Sequence, residues 1–175
     1  MELAVVSYPH ISEHDYDWIQ AVRADHDIHY EIIPPHFTIV FPYSARDEAG
    51  FVGHIKQCTK GVKKISFVSR CALVVKDLVS EYTYVFLIPD DGFSDIVRLH
   101  DRLYTGLLAS QLRLDIPFLP HIGIGNAINP QACKSLADDL NRSKFSITGT
   151  IDTLDILSFD GKEIKTIERS QLKKG

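Results

Sequence analysis

A short pattern that occurs twice, half a chain apart, constrains the fold of this sequence more than any other feature. Residues 35–39 (Pro-His-Phe-Thr-Ile) and 120–124 (Pro-His-Ile-Gly-Ile) both begin with Pro-His and carry Ile at the fifth position. Their histidines, His36 and His121, lie 85 positions apart in a chain of 175 residues. That separation is close to half the length, as expected for an internal duplication. The sequence therefore predicts two similar halves, each with one histidine at an equivalent position.

The predicted secondary structure repeats in the same way. In the first half, apolar runs and cap signals predict a strand at 3–8, a helix over about 12–25, a strand at 37–41, a helix after the cap candidates Ser44 and Asp47, and strands at 64–69 and 71–76. In the second half they predict a strand at 82–88, a long helix through Leu107, a strand at 121–125, a helix opened by Asn129 and Pro130, and closing strands joined by a hairpin turn at 160–161.

Each half is thus predicted to have the order β-α-β-α-β-β. The loops are short, and no linker rich in Gly, Ser or Pro separates the halves. We predict an α+β fold in which two pseudo-symmetric β-α-β-α-β-β lobes with antiparallel sheets surround a central cleft. The whole chain, 1–175, would form one two-lobed domain, with lobe one at about 1–79 and lobe two at about 80–175.

Strand geometry predicts where the two histidines point. Residues i and i+2 of a strand face the same way. In the first motif the apolar set of Phe37, Ile39 and Phe41 is expected to face the core, which turns the other set (His36, Thr38 and Val40) to the opposite side. In the second motif Ile122 and Ile124 form the core set, so His121 and Gly123 face away from it. Two imidazoles would then meet across the cleft.

Such a pair has the chemistry needed to open a phosphodiester. One imidazole takes a proton from the attacking water or hydroxyl, and the other gives a proton to the leaving oxygen. The hydroxyl of Thr38 can hold a phosphoryl oxygen, so no metal or other cofactor is required. A single histidine beside apolar residues is more often structural, and the tripeptide H-x-[ST] is common. The hypothesis depends on the repetition of the motif at half-chain spacing.

The chain resembles the 2H phosphoesterase superfamily, the group that contains 2'-5' RNA ligase-like proteins and cyclic phosphodiesterases. The residues that carry the resemblance are 35–41 and 120–125, which match the two H-x-[ST] motifs of that family. The resemblance implies a metal-independent enzyme acting on a 2',3'-cyclic phosphate or a 2'-5' phosphodiester, with His36 and His121 as catalytic residues. Gly123 stands where the second motif has Thr or Ser, so its backbone N–H would have to replace the missing hydroxyl. Tyr8 and Tyr84 are candidates for stacking on a substrate base.

Composition narrows the alternatives. A net charge of -4 argues against wrapping long nucleic acid, which needs a basic face, but it leaves a nucleotide or an RNA end as substrate. The three cysteines are scattered and form no CxxC, which predicts reduced thiols in a cytoplasmic protein. The sequence shows no signal peptide and no long apolar run, so we expect no membrane partner. We also expect a monomer.

Two other functions stay open. One is a binding module for a nucleotide or RNA end that keeps the cleft without turnover. The weaker one is a metal hydrolase that uses two histidine pairs, at positions 10 and 14 and at positions 26 and 29. His54 and His100 lie on predicted helices, where an exposed position is the default expectation.

Overall fold

The computed structural model describes residues 1–160 and 163–173, and these form two antiparallel sheets with helices packed against them. The strands are β1 (Glu2–Ser7), β2 (His10–Ile11), β3 (Phe37–Ser44), β4 (Ile65–Lys76), β5 (Thr83–Asp91), β6 (Ile122–Ala127), β7 (Ile147–Ile151), β8 (Thr153–Asp160) and β9 (Glu163–Gln171). The helices are α1 (Glu13–His26), α2 (Glu48–Thr59), α3 (Phe93–Leu103) and α4 (Pro130–Arg142), with a 3-10 helix at Gly106–Gln111.

Each sheet combines strands from both halves of the chain. The first sheet has the order β3-β1-β8-β9, and the second sheet has the order β2-β7-β4-β5-β6. All strand pairs within them are antiparallel. The predicted α+β fold with antiparallel sheets is therefore confirmed. Strand β4 of the first half joins the second sheet, while β8 and β9 of the second half complete the first sheet.

Several predicted helix starts are confirmed at the level of single hydrogen bonds. The Ser12 hydroxyl accepts the amide of Asp15 at 3.1 Å and caps α1. The cap predicted at Ser44 was wrong in position: Ser44 ends β3, and Asp47 caps α2 by accepting the amide of Gly50 at 2.9 Å. Asn129 caps α4, and proline occupies the first turn of that helix. In each case a short polar side chain caps the first turn of the helix.

Two predicted elements differ from the structure. The strands predicted at 64–69 and 71–76 are one strand, β4, in which Arg70 falls at a register shift rather than at a turn. The helix predicted to run through Leu107 ends at Leu103, because the chain turns into the 3-10 helix at Gly106, whose φ is +48°. Ile96, Leu99 and Leu103 are buried, whereas Leu107 is exposed. The hairpin turn predicted at 160–161 lies outside the described residues.

The core joins the two sheets directly behind the histidine motifs. Phe37, the first residue of β3, meets Phe67 of β4 with ring centroids 5.0 Å apart and nearly perpendicular planes. Ile122 and Ile124 of β6 are fully buried in the same cluster. Because the residue after each histidine is anchored in this core, the position of each imidazole is determined by packing rather than by a free loop. No helix in the described part of the chain is long and apolar enough to span a membrane.

Candidate active site

Both predicted histidines line one cleft between the sheets. His36 immediately precedes β3 of the first sheet, and His121 immediately precedes β6 of the second. The cleft has a volume of about 1160 Å³, and its lining includes His36, His121, Thr38 and Gly123. The two copies of the motif, which are far apart in sequence, therefore contribute to the same cavity.

The two imidazoles are held by the same local hydrogen bond. The Nδ1 atom of His36 lies 2.8 Å from the carbonyl oxygen of Pro34, and that of His121 lies 2.6 Å from the carbonyl oxygen of Leu119. A carbonyl oxygen can only accept, so Nδ1 carries the hydrogen in both rings. This leaves Nε2 as the nitrogen with a lone pair when the ring is neutral. Each histidine is thus positioned by the carbonyl two residues before it and presents one nitrogen for chemistry.

Burial lowers the pKa of both imidazoles. His121 stacks on Phe86 with ring centroids 3.5 Å apart and planes 17° apart. Burial, aided by the proximity of His36, lowers the pKa of His121 to about 4. Burial also lowers the pKa of His36, although its bond to the Pro34 carbonyl opposes the effect. A charge on His36 lowers the pKa of His121 further, after the larger effect of burial.

The positions that follow the two histidines differ in what they offer a phosphate. Thr38 pairs with Val6 of β1 and lines the cleft with its hydroxyl-bearing side chain. Gly123 offers no side chain, and a Cβ built there would meet only a Phe86 ring carbon at 4.0 Å. A side chain that carries a hydroxyl would therefore fit at position 123.

The predicted alternation of β3 holds for its first residues and then fails. Phe37 and Ile39 are buried and Thr38 faces the cleft as predicted, but Val40 is buried and Phe41 lines the cleft. The reason is a β-bulge: Val5 and Val6 of β1 pair with Val40 and Thr38, so Ile39 is an extra residue on β3. After the bulge the alternation is inverted, so that Val40 faces the core and Phe41 faces the cleft.

The two candidate tyrosines occupy different places. Tyr84 of β5 lines the cleft, and its ring centroid lies 5.6 Å from that of Phe86, so the two rings form an aromatic wall beside His121. The ring centroid of Tyr8 lies 6.2 Å from that of His36, with the two planes 66° apart. Tyr8 is not among the described residues that line the cleft. Tyr84 therefore lies on the cleft surface, whereas Tyr8 lies beside the His36 ring.

Sequence reasoning missed a buried ion pair in the cleft wall. The Arg23 side chain is 2% exposed, and its Nε donates to Asp27 at 2.8 Å. Asp27 also accepts the backbone amide of His29 and the side-chain amide of Asn126, both within 2.9 Å. Burial alone would raise the pKa of Asp27, but the hydrogen bonds from His29 and Arg23 and the Arg23 charge lower it to about 2. The Asp27–Asn126 bond ties the end of α1 to β6, and the i,i+4 spacing of Arg23 and Asp27 was the only sequence signal for the pair.

One histidine assumed to be exposed is a buried anchor. His100 is 2% exposed, donates through Nδ1 to the carbonyl oxygen of Ile39 at 2.8 Å, and stacks on Phe118 with ring centroids 3.6 Å apart. The default expectation for His100 was wrong because the apolar face of α3 extends over this position. The stack holds the segment that precedes His121, so His100 supports the site without belonging to it.

The histidine pairs considered as metal ligands show no converging donor set. Across residues 1–160 and 163–173, no three His, Cys, Asp or Glu side chains are grouped closely enough to hold a metal ion. His10 is exposed and lies 3.2 Å from Asp152, and His14 is exposed beside Asp15 on α1. These contacts are those of surface residues.

Solved structures of other proteins share this fold. The E. coli protein LigT, in a crystal structure with 3'-AMP, shares the fold with a TM-score of 0.56 at 15% identity, covering 98% of this chain and 97% of that chain. Usb1 of Kluyveromyces marxianus gives a TM-score of 0.60 at 12% identity, covering 98% of each chain. At these identities the likeness shows the fold alone.

Sequence comparison goes further. A predicted phosphoesterase of Geobacillus sp. (strain WCH70) is 28% identical over 160 residues, which cover 90% of this chain and 87% of the relative. The family model for the 2'-5' RNA ligase superfamily matches residues 9–163, which include both histidine motifs. The chain therefore belongs to the 2'-5' RNA ligase superfamily, the 2H phosphoesterases.

Proposed function

We propose that this protein is a metal-independent phosphodiesterase that acts on a 2',3'-cyclic phosphate or a 2'-5' phosphodiester of a nucleotide or RNA end. The observation that carries the proposal is the pair of imidazoles, each held by the carbonyl two residues earlier and each with a free Nε2, in a single cleft. Membership of a phosphoesterase family supports it.

The proposed hydrolysis needs one neutral and one protonated histidine. The neutral ring takes a proton from water through Nε2 while the water oxygen forms a bond to phosphorus. The protonated ring gives its Nε2 proton to the sugar oxygen as the phosphorus–oxygen bond breaks. The Thr38 hydroxyl donates to a non-bridging oxygen, where negative charge accumulates in the transition state. The Gly123 backbone N–H is the proposed counterpart on the other side. In ligation a 5'-hydroxyl takes the place of water: one imidazole takes its proton as its oxygen bonds to the phosphorus of a 2',3'-cyclic phosphate, and the other protonates the ribose oxygen that leaves.

Nucleotide recognition is supported by the aromatic wall and by what related proteins bind. LigT has been crystallised with 3'-AMP and with ATP, and Usb1 with uridine monophosphate. In this chain Tyr84 and Phe86 offer two rings beside His121, with planes 30° apart, on which a base can stack. We propose that Tyr84 contacts the base of the substrate and that Tyr8 holds the His36 ring.

A second candidate function is a nucleotide-binding module without turnover. It is favoured by Gly123, which removes one phosphate-binding hydroxyl, and by the low pKa of His121, which makes a protonated acid scarce at neutral pH. The two functions differ in product formation. A binding module holds ligand without releasing product, and it loses affinity when Thr38 is changed.

The test is turnover of 2',3'-cyclic nucleotides and 2'-5' dinucleotides in the presence of a chelator. We compare the unmodified protein with His36→Ala and His121→Ala, and use His14→Ala as the matched control because His14 is an exposed histidine outside the cleft. The proposal requires turnover that survives the chelator, persists in His14→Ala and falls at least a hundredfold in each cleft variant. Turnover that either cleft variant retains would refute the two-histidine mechanism.

A further inference from the structure

A second pocket lies at the edge of the first sheet and gathers cations that the proposed reaction does not use. Strand β9 is the edge strand of that sheet, and α2 packs beside it. The pocket has a volume of about 510 Å³. We define the basic edge as the four cationic residues that line this pocket: Lys56, Lys60, Arg169 and Lys173. None of the described lining residues is acidic, although the chain carries a net charge of -4.

Arg169 is the member of the basic edge that shares a face of the sheet with the cleft. Thr38 and Val6, which both line the cleft, pair across β3 and β1. Val6 pairs in turn with Asp155 of β8, and Asp155 pairs with Arg169 of β9. Residues that pair directly across antiparallel strands direct their side chains to the same face. Three strand spacings of about 4.8 Å place Arg169 about 14 Å from Thr38 along the sheet.

The Arg169 guanidinium is oriented by the protein but not saturated by it. Its Nε donates to Asp155 at 2.8 Å, and the Asp155 side chain is 5% exposed whereas that of Arg169 is 67% exposed. The two terminal nitrogens of Arg169 have no hydrogen-bond partner among the described residues. A guanidinium held in this way presents a planar fork of donors, which is the arrangement that binds a phosphate through two hydrogen bonds.

Tyr8 joins this guanidinium to the proposed catalytic histidine. Its ring centroid lies 6.2 Å from that of His36. Burial and then the Asp155 charge raise the pKa of Tyr8, and the Arg169 charge lowers it, so the tyrosine also lies near that ion pair. Because Val6 and Asp155 are buried, the accessible side chains between the cleft and β9 are those of Tyr8 and Arg169. An aromatic ring followed by a cation suits single-stranded nucleic acid, whose bases stack and whose phosphates need neutralising.

We propose that the substrate is an RNA end whose preceding nucleotides leave the cleft over Tyr8 and bind the basic edge through their phosphates. This inference rests on the proposed phosphodiesterase activity and selects, from its substrate classes, an RNA end over a free nucleotide. The next base stacks on Tyr8 and a phosphate binds Arg169. The span of about 14 Å takes roughly two or three nucleotides of extended strand. Contacts to so few phosphates need only a local basic surface, so the net charge of -4 does not oppose them.

The dependence of kcat/KM on RNA length tests the inference. The substrates are a 2',3'-cyclic mononucleotide and RNA chains of two, three, four and six nucleotides that end in the same nucleotide and cyclic phosphate. We expect kcat/KM to rise about tenfold or more up to three or four nucleotides and then to level off. If two phosphates are contacted, this gain should shrink roughly sevenfold between about 50 and 200 mM salt.

Two sets of variants locate the effect. Arg169→Gln and the double variant Lys60→Gln/Lys173→Gln should each lower the ratio of kcat/KM for the tetranucleotide to that for the mononucleotide by about fivefold or more. The double variant changes two exposed lysines, whereas Arg169 has a buried partner whose loss can affect folding. Lys134→Gln/Arg142→Gln is the matched control, because both residues are exposed on α4, which packs against the second sheet. The control should leave the ratio unchanged.

The two proposals fail in different ways. Equal kcat/KM for all lengths, or a length dependence that neither set of variants reduces, would overturn the inference and keep the enzyme. If no substrate turns over, the same RNA series is titrated by fluorescence anisotropy. An affinity that rises with length and falls in the basic-edge variants then contradicts the proposed activity and keeps the inference, whereas equal affinity for all lengths overturns both.

Discussion

Adding a hydroxyl at position 123 should restore the second phosphate contact. The structure has room for it: a Cβ at Gly123 stays 4.0 Å from its only close neighbour, a ring carbon of Phe86, and the backbone there does not have a positive φ. A hydrogen bond to a charged oxygen contributes about 1.5–3 kcal/mol. At about 1.4 kcal/mol per factor of ten, Gly123→Ser should raise kcat/KM for a 2',3'-cyclic nucleotide by roughly 10- to 150-fold.

The control for this prediction is Gly123→Ala. Alanine adds the same Cβ and the same restriction of the backbone, but no donor, so its kcat/KM should stay within about threefold of that of the unmodified protein. Both variants are assayed with the same cyclic nucleotide and checked for the same melting temperature. If serine and alanine give equal rates, the missing hydroxyl does not limit this cleft, and the backbone N–H near Gly123 already supplies the contact.

Three further predictions concern the rest of the site. Thr38→Val, which keeps the shape and removes the hydroxyl, should lower kcat/KM by about 10- to 100-fold with little change in melting temperature; an unchanged rate would contradict the phosphate contact. Arg23→Met leaves the buried Asp27 carboxylate unpaired and should reduce the free energy of unfolding by about 3–5 kcal/mol, measured by urea denaturation, whereas a loss under 1 kcal/mol would contradict the role given to the pair. The active free protein needs one protonated and one neutral imidazole, and burial lowers the pKa of both His36 and His121. Deprotonation of the acid therefore begins below pH 6.5, so kcat/KM should fall steadily from pH 6.5 to pH 8.5, and a plateau over that range would refute the assignment.

The parts of the fold that were predictable depend on local patterns. The cap residues Ser12 and Asn129 and the apolar residues of β6 act within a few positions of themselves, and the structure agrees with each, whereas the cap of α2 lies at Asp47 rather than at Ser44. The pairing of β4 with the second sheet and of β8 with β1 depends on contacts between distant segments, for which a single sequence carries no signal.

The cleft residues also divide into those that a sequence pattern predicted and those that it did not. His36 and His121 were found because the Pro-His pattern is repeated, and the structure places both in one cavity. The bulge at Ile39 was not predictable, since one extra residue in β3 leaves the composition of the strand unchanged while turning Phe41 toward the cleft. The buried Arg23 was equally hidden, because an arginine four residues before an aspartate is typical of an exposed helix face.

The two histidines share the same hydrogen bond to the backbone but have different side chains around them. Each imidazole is held by the carbonyl two residues earlier, so the direction of Nε2 is preserved by geometry that does not depend on the neighbouring side chains. On the His121 side, burial lowers the pKa of the imidazole, and neither the stacked Phe86 nor Gly123 offers a side-chain donor to an anion. On the His36 side, Thr38 lines the cleft and offers a hydroxyl. The proposed acid–base pair therefore has asymmetric surroundings, and we expect this asymmetry to give the substrate one preferred orientation in the cleft.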